Sequence, residues 1–252
     1  MQEDAIAIQR SRDADSLRAA CGREGCPVCM VVLEYLDRSI DNWEYEGFSD
    51  VQHRHELIRS RGFCPLHTWQ LAQRGNAFSL GLIYTEILTD VEQKLAQDYS
   101  KLVATDGTLS KRESVFKRWR SRWFHQTHET PTKVNPRYDQ CSFCRTRSNV
   151  EQRLISTLVQ QLRAQEMRLL LSQSTGLCLV HLAQARQQAE VEEPTVLPHV
   201  LSCQLTCTRR VLEEVRELVR KHDYRFHDEP RGHEMTSWRR GAQLCAGNPG
   251  VR

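Results

Sequence analysis

The sequence predicts an all-α protein in which two similar helical halves pack as one bundle-like molecule. Strand signals are nearly absent, because no run of alternating β-branched residues is bounded by tight-turn dipeptides. Apolar residues recur instead at helical spacing. Charged residues make up 27% of the chain and apolar residues 39%, which is typical of helices with wide solvated faces. A chain of 252 residues is also long enough for two halves with a real core.

Capping signals and apolar stripes locate the predicted helices in chain order. Ser49 or Asp50 is suited to cap a short helix that stops at Gly62. Ser110 and Glu113 form a capping box at the start of a later helix. The apolar stripes repeat every three or four residues, as one face of a helix does, and lie at 80–95, 115–123, 154–162 and 211–218.

A pattern of metal-ligand residues occurs twice in the chain. Each copy has a Cys-x-x-Cys pair and then a Cys-x-x-His pair, which a glycine and an apolar residue precede. The second and third cysteines are 35 positions apart in the first copy and 34 in the second. The first set is Cys26, Cys29, Cys64 and His67, and the second set is Cys141, Cys144, Cys178 and His181.

Three thiolates and one imidazole complete a tetrahedral shell for zinc, so the pattern predicts two structural zinc ions per chain. Residues three apart in the first turn of a helix point to the same side, which suits both pairs. Because the two gaps are alike, we expect each ion to be bound within one copy. The alternative joins Cys26 and Cys29 to Cys178 and His181. An iron–sulfur cluster or plain buried thiols are the other interpretations, and a cluster or reactive thiols would indicate a redox sensor as the alternative function.

The repeat also predicts the domain organisation. Residues 1–126 would form the first helical metal-binding half, and residues 141–252 the second half with a C-terminal tail. The segment 127–140 has two prolines, several polar residues and no periodicity, which indicates a linker. Outside the metal-ligand positions the two copies share few residues, so the duplication is inferred mainly from spacing.

Composition suggests an intracellular, cytoplasmic protein. The first residues lack the basic and apolar regions of a signal peptide, and no apolar run approaches the length of a membrane span. In a reducing compartment, ten cysteines favour metal ligation over disulfides. The net charge of +3 does not by itself indicate nucleic-acid binding, which would require a local basic patch.

One segment offers such a patch. Residues 111–123 carry six basic side chains against one acid, with aromatic residues between them. Basic side chains bind phosphates and aromatic faces stack on bases, so the segment could contact RNA or single strands. The alternative is an amphipathic helix with its tryptophans in the core. The basic residues of the nucleic-acid hypothesis are Lys117, Arg118, Arg120 and Arg122.

The C-terminal tail, from His222 to Arg240, is dense in histidines and carboxylates. It could form a further metal or acid–base site, although it lacks the His-Glu-x-x-His pattern. Alternatively, the last helix ends near His222 and the tail folds back, with Tyr224, Phe226 and Trp238 docking. In that case the basic residues of the tail pair with its carboxylates.

Several motifs together resemble a bacterial family of unknown function. They are Cys-Pro-Val-Cys at 26–29, Gly-Phe-Cys-Pro-Leu-His at 62–67, Gly-Leu-Cys-Leu-Val-His at 176–181, and a Tyr-Arg-Phe, Glu-Pro and Ser-Trp-Arg-Arg tail at 224–240. The resemblance spans nearly the whole chain and implies eight metal ligands in a duplicated helical fold. It implies no activity. With a closed metal shell and no nucleophile–base pair, the sequence favours a structural module that binds a protein partner, rather than an enzyme.

Overall fold

The computed structural model describes residues 2–47, 49–75, 77–104, 141–226 and 228–250. Within these ranges the chain is helical and contains no strand, which confirms the predicted all-α class. The basic segment 111–123 and the linker 127–140 lie outside the described residues, so both stay predictions.

Ten α-helices are described. Short 3₁₀ turns, Tyr224–Phe226 and His233–Thr236, precede the last of them, and a π-helical turn, Trp43–Gly47, follows the second. The α-helices are α1 Gln2–Cys21, α2 Pro27–Asn42, α3 Val51–Ser60, α4 Pro65–Arg74, α5 Ala77–Ala104, α6 Ser142–Gln161, α7 Gln165–Gln173, α8 Leu179–Glu192, α9 Leu197–Lys221 and α10 Ser237–Ala246.

The chain divides into two compact units that cut across the halves expected from the repeat. The first unit comprises residues 1–37 and 147–252, and the second comprises 38–146. The boundaries fall inside α2 and α6, which are 16 and 20 residues long. At 1.5 Å per residue these helices advance about 24 and about 30 Å. Each helix therefore leads the chain out of one unit and into the other.

Helix α9 organises the first unit, since it packs against α7, α8 and α10. One face of α9 is buried, and the buried residues recur every three or four positions. The predicted stripe at 154–162 on α6 is buried as expected, because Leu154, Leu158 and Leu162 have no exposed surface. These buried faces contribute to the apolar core of the first unit.

The second unit is built around the packing of α3 on α5. Asp50 caps α3 by accepting hydrogen bonds from the backbone N–H groups of Gln52 and His53, as one of the two capping candidates predicted. The stripe expected on α5 is only partly correct. Ile87 is buried together with Ile83, whereas Leu88 is 62% exposed. The buried face thus follows one side of α5 rather than the full predicted stripe.

The C-terminal tail folds back after α9, which ends at Lys221 as expected. Lys221 Nζ donates to Glu234 Oε1 at 2.8 Å, and this bond lowers the pKa of Glu234 to about 2. Of the three tail aromatics expected to dock, Tyr224 and Trp238 are largely exposed, whereas Phe226 is half-buried with the Arg220 guanidinium 4.4 Å from its ring centroid. None of the helices in the described part of the chain combines the length and the hydropathy of a membrane span.

Candidate metal centres

Four short segments, which we call hooks, each supply two metal-ligand side chains from the first turn of a helix. The hooks are 26–29, 64–67, 141–144 and 178–181, and they begin α2, α4, α6 and α8. In each hook the first cysteine precedes the helix, and its carbonyl accepts the first helical hydrogen bond. The second ligand then lies three residues later on the same side of the helix. Backbone N–H groups at a helix start also favour the thiolate form of cysteine.

Left-handed glycines set the direction of the two histidine hooks. Gly62 has φ of 97° and Gly176 has φ of 95°, a conformation that other residues adopt only with strain. Pro65 then occupies the first turn of α4, where its missing N–H costs no hydrogen bond. The Gly-apolar-Cys sequence that both copies share is therefore a turn that leads directly into the helix carrying the histidine.

The first cluster consists of Cys26, Cys29, Cys178 and His181, and all four residues are buried. Nδ1 of His181 lies 3.5 Å from Cys26 Sγ, 3.3 Å from Cys29 Sγ and 3.3 Å from Cys178 Sγ. The sulfurs of Cys29 and Cys178 are 3.8 Å apart. A tetrahedral zinc ion would require about 3.6 Å between sulfur and nitrogen and about 3.8 Å between sulfurs. This cluster could hold a metal ion.

The second cluster consists of Cys64, His67, Cys141 and Cys144, which are likewise buried. Nδ1 of His67 lies 3.1 Å from Cys64 Sγ, 3.5 Å from Cys141 Sγ and 3.4 Å from Cys144 Sγ. The sulfurs of Cys64 and Cys144 are 3.5 Å apart. These distances also match those around one tetrahedral ion, so the chain has two candidate metal sites.

The expected pairing within each copy is wrong, and the alternative pairing is the one found. Each cluster combines a Cys-x-x-Cys hook from one copy with a Cys-x-x-His hook from the other. The reason is that α2 and α6 both continue across the boundaries between the two units, so that the two hooks of each copy belong to different units.

Charges within the first cluster favour a thiolate beside an imidazolium when no metal is bound. Hydrogen bonds with Cys26 and Cys29 lower the pKa of Cys178 far below its usual range. Burial alone would lower the pKa of His181, but contacts with Cys178, Cys29 and Glu151 raise it to about 11. Burial raises the pKa of Cys26. A metal ion entering this cluster must therefore displace protons from His181 and from buried thiols.

In the second cluster the cysteine with the lowest pKa belongs to the other kind of hook. Burial alone would raise the pKa of Cys141, but hydrogen bonding to His67 and to the Cys64 and Cys144 segments lowers it to about 6. Burial raises the pKa of Cys64 and of Cys144. One thiol in each cluster thus has a lowered pKa, and it belongs to the histidine hook in the first cluster and to the two-cysteine hook in the second.

Aromatic side chains lie beside the second cluster. Phe63 precedes Cys64, and Phe143 lies between Cys141 and Cys144 in sequence; their rings stack with centroids 4.9 Å apart. Trp43 meets Phe63 edge-on at 5.1 Å. The matching positions of the first cluster hold Leu177 and Val28, which are both buried. The two sites therefore share their ligands but differ in the side chains around them.

Gln204 fixes the turn before the second histidine hook, a role that sequence reasoning missed. Its Oε1 accepts from the N–H of Leu177 at 2.9 Å, and its Nε2 donates to the carbonyl of the same residue at 3.0 Å. The side chain thus satisfies both backbone groups of the residue before Cys178, in a buried position. The sequence signal that could have identified Gln204 is a polar residue among the apolar residues on the buried face of α9.

The remaining sequence candidates do not join either cluster. Cys203 and Cys207 are buried on α9, where their thiols donate to carbonyls of Arg168 and Leu171. They are therefore small buried groups of the core. Within the described tail, no residue contributes to either cluster. Asp223 instead pairs with Arg225, and Arg240 pairs with Glu214.

A family model described as "Family of unknown function (DUF6062)" matches residues 15–250. The chain belongs to this family. The match confirms the resemblance noted in the sequence, and it includes all eight residues of the two clusters. Comparisons with curated proteins and with solved structures gave no match.

Proposed function

We propose that the protein is an intracellular zinc protein with two structural sites, each formed by three cysteines and one histidine, and that it serves as a helical module for binding a protein partner. The observation that carries the zinc assignment is the spacing of four buried ligand atoms around one point in each cluster. Four protein ligands leave no open position for a substrate, which favours a structural over a catalytic ion.

The same spacing favours a single ion over an iron–sulfur cluster. In a cluster the thiolates bind different iron atoms, so the ligand atoms stand further apart than around one ion. Here sulfurs approach to 3.8 Å in the first site and 3.5 Å in the second. Zinc is the common ion for a mixed thiolate and imidazole shell that has no redox role.

An intracellular location suits the state of the thiols. All ten cysteines are free, and nine are buried. Free buried thiols persist in reducing compartments, where metal sites replace disulfides as cross-links. Each proposed zinc ion would join two hooks that lie far apart in sequence, so metal binding would contribute directly to folding.

Metal content tests this proposal. Protein purified under reducing conditions should contain two zinc ions per chain by elemental analysis and show no visible absorption band. Iron together with a visible band would contradict the zinc assignment and support an iron–sulfur cluster. Protein without any metal would overturn the proposal altogether. The control variant Cys245→Ser should have the same metal content, because Cys245 is exposed and belongs to neither cluster.

The interaction role is supported by an exposed apolar stripe on α9. Four large apolar side chains lie on one narrow face of this helix, at intervals of four, seven and seven residues, which is the spacing of a coiled-coil seam. All four are at least 45% exposed. They are Leu201, Leu205, Leu212 and Val219.

Charge next to the stripe indicates what partner it would accept. Arg209 and Arg216 are exposed and flank the stripe on one side, seven residues apart. An amphipathic helix with acidic residues beside its own apolar seam would match both features. We therefore expect a partner helix of that composition.

Site-directed photocrosslinking tests the partner surface. A photoreactive amino acid at Thr208, within the stripe, should crosslink to a partner chain in cells, and Leu212→Glu should abolish the crosslink. The same probe at Thr206, which is exposed but lies well to one side of the stripe, is the control. Equal crosslinking from both positions, or none from Thr208, would contradict this surface.

A further inference from the structure

The two clusters have the same types of ligand, but they differ in the residues next to the histidine ring and next to the cysteine sulfurs. We propose that Glu151 and the C-terminal residues Gly247 and Asn248 hold the metal of the first cluster in place, so that the second cluster loses its ion first. This inference rests on the proposed zinc function and concerns the unequal retention of the two ions.

A carboxylate stands behind the histidine of the first cluster. Nδ1 of His181 faces the three sulfurs, and on the other side of the ring Nε2 lies 3.7 Å from Glu151 Oε1. With a metal on Nδ1, Nε2 carries the hydrogen and can donate toward that carboxylate. Such a carboxylate fixes the orientation of the ring and makes it a better ligand. Glu151 is itself largely enclosed, with 15% of its side chain exposed, and lies near Arg147.

The second cluster has no such support among the described residues. Nε2 of His67 is buried, and within that part of the chain neither it nor Nε2 of His181 has a hydrogen-bond partner, but only His181 has a carboxylate oxygen within 4 Å. The neighbour found at this ring is Phe143, with centroids 5.4 Å apart. Glu151 lies seven residues after Cys144, the second cysteine of its hook. In the other copy, the residue seven positions after Cys29 is Leu36. The duplicated sequence therefore supplies a carboxylate for one site only.

The C-terminal residues cover the sulfurs of the first cluster. At Gly247 the backbone has φ of 82°, and a β-carbon placed there would lie 3.3 Å from Cys29 Sγ and 3.6 Å from Cys178 Sγ. The glycine backbone thus sits directly against two of the ligand atoms. Asn248 Oδ1 accepts a hydrogen bond from the backbone N–H of Cys26 at 3.0 Å, which ties the segment to the third cysteine. Together these contacts close the site against solvent.

Access to the second cluster is easier. Cys144, at 7% exposure, is the most accessible of the eight metal-ligand residues. A cleft of about 360 Å³ in the second unit is lined in part by Ser142 and Phe143, which lie between the two cysteines of this hook. A chelator or competing thiol can therefore reach this site without displacing the C-terminus. Among the described residues, no carboxylate lies next to the ring of His67, the histidine ligand with which the chelator would compete for the metal.

The test is a chelator competition on the full-length protein loaded with two zinc ions. Excess 4-(2-pyridylazo)resorcinol should remove the ions in two phases of one equivalent each. Cys144→Ser should remove the fast phase, and Cys29→Ser the slow one. Glu151→Gln should accelerate the slow phase about 10- to 100-fold and leave the fast phase unchanged. Glu190→Gln is the matched control, because Glu190 lies on the same helix as His181 in an exposed pair with Arg186.

A second variant keeps the inference testable if Glu151→Gln does not fold. Asn248→Ala should also accelerate only the slow phase, because it releases the C-terminal residues from Cys26. Release of two equivalents in one phase, or a slow phase that neither variant changes, would overturn the unequal retention. A starting protein with fewer than two zinc ions would instead contradict the proposed function, so the two failures are distinguishable.

Discussion

Cys26 and His181 are 155 positions apart, and Sγ of the first lies 3.5 Å from Nδ1 of the second. Their proximity shows how the repeat is used: the two-cysteine hook of one copy meets the histidine hook of the other. A metal ion held this way joins the beginning of the chain to its last third. Loss of either partner should therefore release the same ion.

Paired cysteine variants test this arrangement by counting zinc. Cys29→Ser with Cys178→Ser removes two ligands of one site, so the double variant should keep one zinc ion per chain. Cys29→Ser with Cys64→Ser damages both sites and should leave none. Binding within each copy would give the reverse result, with one ion in the second double variant. Native mass spectrometry distinguishes these outcomes without any assay of function.

The sequence singles out the same eight side chains that the structure brings together, because their types and spacing are visible in one dimension. It cannot decide their pairing, since the near-equal gaps satisfy either choice. The decision depends on α2 and α6, which continue across the unit boundaries and so place the two hooks of each copy in different units. Glu151 was overlooked although it is the one carboxylate on α6. Asn248 gave no signal, because its role arises only when the C-terminus meets the first hook.

Gly176 and Gly81 should respond to alanine in opposite directions. At Gly176 a β-carbon would lie 2.8 Å from Cys207 Cβ, and φ is 95°. Steric overlap and the left-handed backbone should together cost about 2–4 kcal/mol of unfolding free energy. Gly81 lies inside α5, and apart from the backbone of its own helix no atom of the described residues lies within 4 Å of the added carbon. Gly81→Ala should stabilise by about 0.5–1 kcal/mol. Chemical denaturation measures both, and like signs would contradict the described backbone.

Asp13 should be among the most sensitive charged residues of the first unit. It has no exposed surface and accepts hydrogen bonds from Gln9, Tyr35 and Arg153, with Arg153 Nε at 2.5 Å. Asp13→Ala would remove the buried acceptor that these three side chains share and should cost about 3 kcal/mol of unfolding free energy.

Asp15 provides the control for that prediction, because it lies on the same helix in an exposed pair with Arg18. Asp15→Ala should change the unfolding free energy by less than about 0.5 kcal/mol. Thermal or denaturant unfolding of the zinc-loaded protein compares the two variants directly. Similar losses of unfolding free energy in both variants would show that Asp13 is not a buried residue that links α1, α2 and α6.

Thiol accessibility should separate Cys245 from the other nine cysteines. It alone among them is exposed, whereas the six cysteines of the two clusters would be both buried and metal-bound. Zinc-loaded protein should therefore react rapidly with one equivalent of Ellman's reagent per chain, and Cys245→Ser should react with none. Removing zinc with a chelator should expose further thiols, because the hooks then lose the ion that holds them together. Rapid reaction of several thiols in the zinc-loaded Cys245→Ser protein would mean that the clusters are open to solvent, contrary to their burial.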